Sequence, residues 1–197
     1  MQGFVNRAIQ CFICDTYGRA VWQSAARRAE LGFSNFEAML DYDAHLTDRV
    51  VSAVEAELGK PRDIFLEDLG TYLVTHPNME SLRRLLRFGG EDFEDFILSL
   101  DELPERAKLV LSEIELPSIT LEVIGAKQYE IVFGPQLSGF SRVMMGTLRA
   151  MADDYGALAF IEHANSHRGE AIAITLADDT FAQGRNFELA PVQYATG

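Results

Sequence analysis

The sequence predicts an α+β fold, a helical N-terminal part followed by an antiparallel sheet crossed by one long helix. Three observations carry this. Apolar residues recur at three- and four-residue steps as far as about residue 100, the spacing of one helix face. After Pro117 the pattern changes to alternation, the spacing of a strand with one face buried. Glycine and proline punctuate the boundaries between these runs.

In chain order, Phe4, Val5, Ala8, Ile9, Phe12 and Ile13 form the first helical stripe, and Gly18 is expected to end it. A second helix over 21–30 carries Trp22, the only tryptophan. Residues 34–43 read as a polar connector, and His45, just beyond Asp43, is expected to be exposed in the same polar stretch. Leu46, Val50, Val51, Val54 and Leu58 make the next stripe, closed by Gly59. Pro61 suits the first turn of a helix whose core positions are Ile64, Phe65, Leu69, Tyr72 and Leu73, and Pro77 stops it. A short basic helix over 80–87 ends at Gly89-Gly90, and a further helix from Glu91 buries Phe93, Phe96, Ile97 and Leu100.

Beyond Pro117, Ile119, Leu121 and Val123 alternate with Thr120, Glu122 and Ile124, and Gly125-Ala126-Lys127 turns the chain into a strand from Tyr129 to Phe133. A helix over 139–155 interrupts the strands. Residues 158–163 and 171–176 read as a closing hairpin with its turn at 165–169, and residues 179–197 as a C-terminal tail.

Composition bounds the function. Of 197 residues, 48% are hydrophobic, with 13 Phe and 6 Met, so a substantial core is expected. A net charge of −13 disfavours nucleic acid and anionic membrane surfaces as partners. No apolar run approaches the roughly 20 residues of a membrane span, and the first residues lack the order of a signal peptide, so a cytoplasmic protein is expected. Cys11 and Cys14 are spaced C-x-x-C but lie within a helical stripe, and read as buried structural cysteines. No nucleophile–base pair, phosphate-cradling glycine loop or metal cluster is visible, which argues against an enzyme.

Several segments carry a resemblance. They are Met1-x-Gly3-Phe4-Val5-Asn6-x-Ala8-Ile9, Tyr17-Gly18-x-x-Val21-Trp22 and Leu69-Gly70. Further along stand Phe96-x-x-x-Leu100-Asp101-x-Leu103, Leu116-Pro117-Ser118, Gly139-Phe140 and Val143-Met144-Met145-Gly146. Together they resemble the heme nitric-oxide/oxygen-binding (H-NOX) family, especially the heme domain of soluble guanylate cyclase β subunits. The resemblance covers roughly residues 1–178 and implies one domain, with a helical part over about 1–62 and helices plus sheet over 63–178.

The resemblance implies two heme-holding features. A histidine in Leu-Asp-x-Leu-His ligates the iron, and Tyr-x-Ser-x-Arg clamps the two propionates. Here the first reads Leu100-Asp101-Glu102-Leu103-Pro104, and proline has no side-chain lone pair for iron. The second aligns with Phe133-Gly134-Pro135-Gln136-Leu137, so Phe133, Pro135 and Leu137 stand at the clamp positions. Val5, Ile9, Leu73, Val74, Pro117, Met144 and Met145 match the positions that face or back the macrocycle. Heme is the cofactor the resemblance implies, yet neither of its holding features is present. Two alternatives stay open: a core filled by side chains, or an apolar cavity taking a lipid, a quinone or a differently held tetrapyrrole.

Among the histidines, His76 ends the helix that borders the distal side of the family's pocket, which makes it a weak candidate ligand. Capping the helix is its ordinary role. His163 and His167 flank a turn without helical metal-site spacing. The resemblance also implies a separate signalling partner, a diguanylate cyclase or a histidine kinase. A ligand-free interaction module is the alternative, with the acidic face of Glu91, Asp92, Glu94 and Asp95 free to meet a basic partner.

Overall fold

A computed structural model describes residues 2–110, 116–166 and 169–177. The expected tail, 179–197, lies outside the described residues, as does His167. Helices fill the first part: α1 (Gln2–Thr16), α2 (Arg19–Arg28), α3 (Ala44–Leu58), α4 (Arg62–Thr75), α5 (Glu80–Arg87), α6 (Phe93–Leu98) and α7 (Leu103–Val110). Strands β1 (Ile119–Gly125) and β2 (Gln128–Phe133) follow, then α8 (Phe140–Tyr155), β3 (Ala159–Ser166) and β4 (Gly169–Leu176). The sheet is antiparallel throughout, in the order β1-β2-β4-β3. The α+β expectation holds.

Two apolar clusters make the core. Residues of α1–α4, among them Ile9, Phe12, Ile13, Trp22, Val50 and Phe65, form the first. The second joins α5–α8 to the inner sheet face through Phe93, Phe96, Leu100, Ile131, Phe133 and Met151. Helix α4 takes part in both, giving Phe65, Leu66, Leu69 and Tyr72 to the first and Val74 to the second.

Helices α4 and α8 cross with their backbones in contact. A Cβ built on Gly70 would lie 1.9 Å from the Val143 carbonyl oxygen, and one on Gly146 would lie 1.9 Å from that of Glu67. Only hydrogen at both positions lets the two backbones meet. The Thr147 hydroxyl sits in this contact, 3.0 Å from the Val143 carbonyl and 3.4 Å from that of Gly70. Glu67 then accepts from Arg149 at 2.6 Å and Arg142 at 3.4 Å, while Arg142 also reaches Asp63 at 3.0 Å.

Some expectations need correction. The connector at 34–43 is not simply polar: Phe36 is buried and packs edge-on with Tyr42 and tilted against Trp22. Gln10, buried in α1, holds this segment by accepting from the Phe36 N–H at 2.8 Å and donating to Asn35 at 2.6 Å. His45 lies in the first turn of α3, exposed, rather than in the connector. The helix expected from Glu91 is broken, with a 3-10 turn at Leu100–Glu102 before α7. Pro104 has no N–H to give the Leu100 carbonyl, so the ladder stops and a new helix starts with proline in its first turn.

The closing hairpin is longer than expected. β3 runs to Ser166 and β4 starts at Gly169, because Asn165 and Ser166 pair with Glu170 and Gly169 despite their polarity. At the other edge, Val123 and Ile124 are both exposed, where alternation predicted one inward. A register shift between Val123 and Gly125 explains this, since an extra residue at a sheet edge rotates the side chains out of phase.

Replacing Gly146 with Ala tests the crossing. Alanine is the better helix former by about 1 kcal/mol, so an uncrowded site would be stabilised. Crowding against Glu67 reverses the sign, and we expect a loss of about 2 kcal/mol or more in denaturant-unfolding stability.

Candidate functional site

The residues expected to line the pocket divide between the two apolar clusters. Val74, Phe133, Met144 and Met145 are buried in the sheet-side cluster, with Leu137 packed partly buried against it. Pro117 is buried just before β1. Ile9 belongs to the N-terminal cluster, with Val5 and Leu73 packed against it. Consecutive residues Leu73 and Val74 therefore pack with different clusters, and α4 contributes to both.

The positions of the two polar motifs are chemically plain. Pro104, half-buried in the first turn of α7, follows the buried Leu103. Phe133 meets Phe140 edge to face, ring centroids 5.6 Å apart. Pro135 is exposed in the loop to α8, and Leu137 lies partly buried. Phe133, Pro135 and Leu137 carry no hydroxyl or guanidinium, and Pro104 offers no donor atom to a metal. These residues do not fit a heme held by an axial histidine and a propionate clamp. The nearby Ser141 hydroxyl, fully buried, is already used, donating to Glu170 at 2.6 Å.

His76 is placed differently. It follows α4 with extended backbone, its ring stacked on Tyr72 at 4.7 Å. Its Nδ1 accepts from the Asn78 N–H at 3.3 Å, capping the short turn at Pro77–Met79. His76 thus caps both elements: its backbone N–H donates to the Tyr72 carbonyl at 3.0 Å at the end of α4, and its ring accepts at the start of the next turn. Around it stands a polar group that the sequence did not reveal. Asp15 of α1 accepts from the Tyr72 hydroxyl at 2.7 Å and from the Asn78 amide at 3.1 Å, with His76 Nδ1 3.8 Å away. The partners lie 57 and 63 residues from Asp15, so no local pattern could signal them.

The hydrogen bond from Tyr72 holds the Asp15 carboxyl below the usual carboxylate range, with Asn78 and His76 helping and burial opposing. Burial, then the bond to Asp15, pushes the Tyr72 hydroxyl up. Tyr129 of β2 donates to Glu94 of α6, and burial followed by that bond pushes it up to about 12. Cys11 and Cys14 are free and half-buried. Burial raises the Cys14 thiol above its ordinary value, the reverse of what a reactive thiolate needs. His163 is half-buried on β3. Among the described residues, no three His, Cys, Asp or Glu side chains gather as a metal-holding group. No described helix is long and apolar enough to cross a membrane.

Known proteins resemble this chain as follows. The profile of a family described as Haem-NO-binding matches residues 2–163. Soluble guanylate cyclase 89Db of Drosophila melanogaster is 20% identical over 79% of this chain and 23% of its own length. Soluble guanylate cyclase gcy-31 of Caenorhabditis elegans is 20% identical over 78% of this chain and 22% of its own length. The chain thus spans less than a quarter of these curated relatives. Among solved structures, the Fe(II) unliganded H-NOX protein from K. algicida superposes with a TM-score of 0.76 at 13% identity, covering 91% of this chain and 98% of that one. A mutant H-NOX protein from S. oneidensis in the Fe(II) ligation state gives 0.75 at 16% identity, covering 90% of this chain and 97% of that one.

The Asp15 and Tyr129 shifts each make a contribution to stability depend on pH. Asp15 has its folded value depressed, so its contribution is present above the unfolded value of about 4 and is lost as pH falls through the folded one. Tyr129 has its folded value raised, so its contribution is present below about 10 and is lost as pH rises towards 12. In denaturant unfolding across pH, Tyr72→Phe should cost about 1 kcal/mol at neutral pH and flatten the loss below pH 4. An unchanged acid limb in that variant would refute the role given to the Tyr72–Asp15 bond.

Proposed function

Because the chain belongs to the Haem-NO-binding (H-NOX) family, we propose that it is a sensory or binding module that passes a signal to a separate signalling protein without the family's mode of heme ligation. The observation that carries this reading is Pro104, together with Phe133, Pro135 and Leu137. The iron ligand and the propionate clamp are replaced together, in a chain whose flanking residues keep the family pattern. A diguanylate cyclase or a histidine kinase is the partner class that the family analogy suggests. The matched stretch is the family's own domain, and the cyclase relatives extend far beyond it.

For this chain's own residues, the consequences are those of apolar chemistry. A flat carboxylate-bearing ligand would find at residues 133–137 no cationic side chain to balance its charge, and burying carboxylates unpaired costs several kcal/mol. A neutral apolar ligand would meet Phe133, Leu137, Met144 and Met145, of which the methionines adapt most readily in shape. A second reading, an interaction module with no small ligand, is favoured by the continuity of the sheet-side cluster: Phe96, Leu100, Ile131 and Leu148 are all fully buried in it.

Purification after expression with heme supplied tests the proposal. The wild-type protein should lack the intense band at the blue edge of the visible spectrum, and a strong stoichiometric band would overturn the reading of Pro104. Restoring Pro104→His together with Phe133→Tyr, Pro135→Ser and Leu137→Arg should bring heme binding back if the cavity still opens. Mass spectrometry of the denatured wild-type extract distinguishes a co-purified apolar ligand from an empty core.

A further inference from the structure

The outer face of the sheet carries charge that the fold does not use. Tyr129, Ile131, Ile161, Ile172 and Ile174 point into the sheet-side cluster, so their neighbours Glu130, Glu162 and Ala173 point the other way. The register sets Glu122, Glu130, Ala173 and Glu162 in one row across β1, β2, β4 and β3. Glu122 and Glu130 stand directly opposite each other, where like charges destabilise a strand pair. Glu122 has a contact of its own, but Glu130 and Glu162 enter none of the ion pairs among the described residues. The acids expected to meet a partner on α6 are engaged within the chain. Asp92 and Asp95 accept backbone N–H groups at 2.8 and 3.3 Å, and Glu94 accepts from the Tyr129 hydroxyl.

Beside this row the surface is apolar. Phe160, two residues before Glu162 on β3, is 65% exposed, and Leu158, in step with it, is 70% exposed. Ala173 leaves a low floor between Glu130 and Glu162, two strand spacings or roughly 10 Å apart. A helix with its side chains is about 10 Å across, so one helix covers this width. A second copy of this chain does not suit the face, because its net charge of −13 sets carboxylate against carboxylate. A partner with cationic and apolar side chains along one face does. We propose that the outer face of β2, β4 and β3 docks a basic amphipathic helix of the signalling partner. Its Lys or Arg side chains meet Glu130 and Glu162, and its apolar ones meet Leu158 and Phe160. The surface rests on the reading that the chain passes its signal to a separate protein. Strand β2 also carries Ile131 and Phe133 into the sheet-side core, so the docked face and that core share one strand.

Photo-crosslinking of the full chain in extracts of its own cells tests this, with p-benzoylphenylalanine in place of Phe160 and mass spectrometry of the joined peptides. The same group in place of Phe88 or Leu40, both exposed, gives the comparison. At position 160 the adduct should come from another protein, through a segment with Lys or Arg at helical spacing. It should fall at least several-fold in 0.5 M salt, roughly a 4 Å screening length, and in the double variant Glu130→Lys with Glu162→Lys. Changing the captured segment's cations to Glu should restore the adduct with that double variant, which a merely misfolded chain would not do. An adduct to a second copy, to residues 178–197 of the same chain, or to an acidic segment would overturn the proposal. Capture from Phe88 or Leu40 alone would overturn this surface and leave the separate-partner reading standing. Capture from none of the three positions would overturn both.

Discussion

The fold depends on the backbone contact between α4 and α8. Gly70 and Gly146 remove the side chains that would hold the helices apart, and Thr147 bonds into the gap. Side chains flank the contact with charge: Glu67 receives Arg142 and Arg149, and Arg149 also donates to the Ile161 carbonyl at 3.3 Å, tying in β3. The two apolar clusters would otherwise be separate bodies joined by a linker. Because α4 contributes to both, any change in how α8 seats on it is felt in the N-terminal helices and the sheet together. Dense packing favours discrete rearrangement over gradual deformation.

The four residues that we propose stand at the family's heme-holding positions, Pro104, Phe133, Pro135 and Leu137, are consistent with one another. A hydroxyl or guanidinium retained at 133, 135 or 137 without a carboxylate to bind would be left unpaired near an apolar core, at a cost of about 1–3 kcal/mol when buried. Phenylalanine and leucine remove that cost and add contact with Phe140 and the sheet-side cluster. Proline at 104 suits the first turn of α7, where its missing N–H is not needed. On that proposal, nothing in the local backbone chemistry works against these four residues.

Much of the fold was legible in the sequence because it follows from period and punctuation. Helix α5 falls on the residues expected, and α3 ends at Gly59, whose φ of 62° is a left-handed conformation. The Gly3, Gly70 and Gly146 of the resembling segments each sit where a Cβ would strike a carbonyl, of the 37–40 loop at Gly3 and of the facing helix at the other two, so those motif residues reflect close packing as much as any ligand. The illegible parts are non-local. Phe36 looks like one apolar residue in a polar stretch until Trp22, Tyr42 and Gln10 surround it. The break before α7 was written in Pro104, yet the stripe of Phe96 and Leu100 masked it. At the site, residue identities were readable but their division between two cores was not, because the period of a helix does not say which neighbour each face meets.

The surroundings of His76 bear on whether it could replace the missing ligand. Its Nδ1 is spent on the Asn78 N–H, and its ring covers Tyr72, whose hydroxyl satisfies Asp15. Turning Nδ1 towards a metal would uncap the Pro77–Met79 turn and lift the ring from Tyr72. Asp15 would keep its hydrogen bonds from Tyr72 and Asn78 but lose the nearby imidazole. Tyr72 is buried, so what its ring loses would not be recovered from water, whereas Asp15 and Asn78 are exposed. The arrangement accounts for the Nδ1 and the ring face of His76 as a joint between α1 and the end of α4, and a ligand role through Nδ1 would have to displace it.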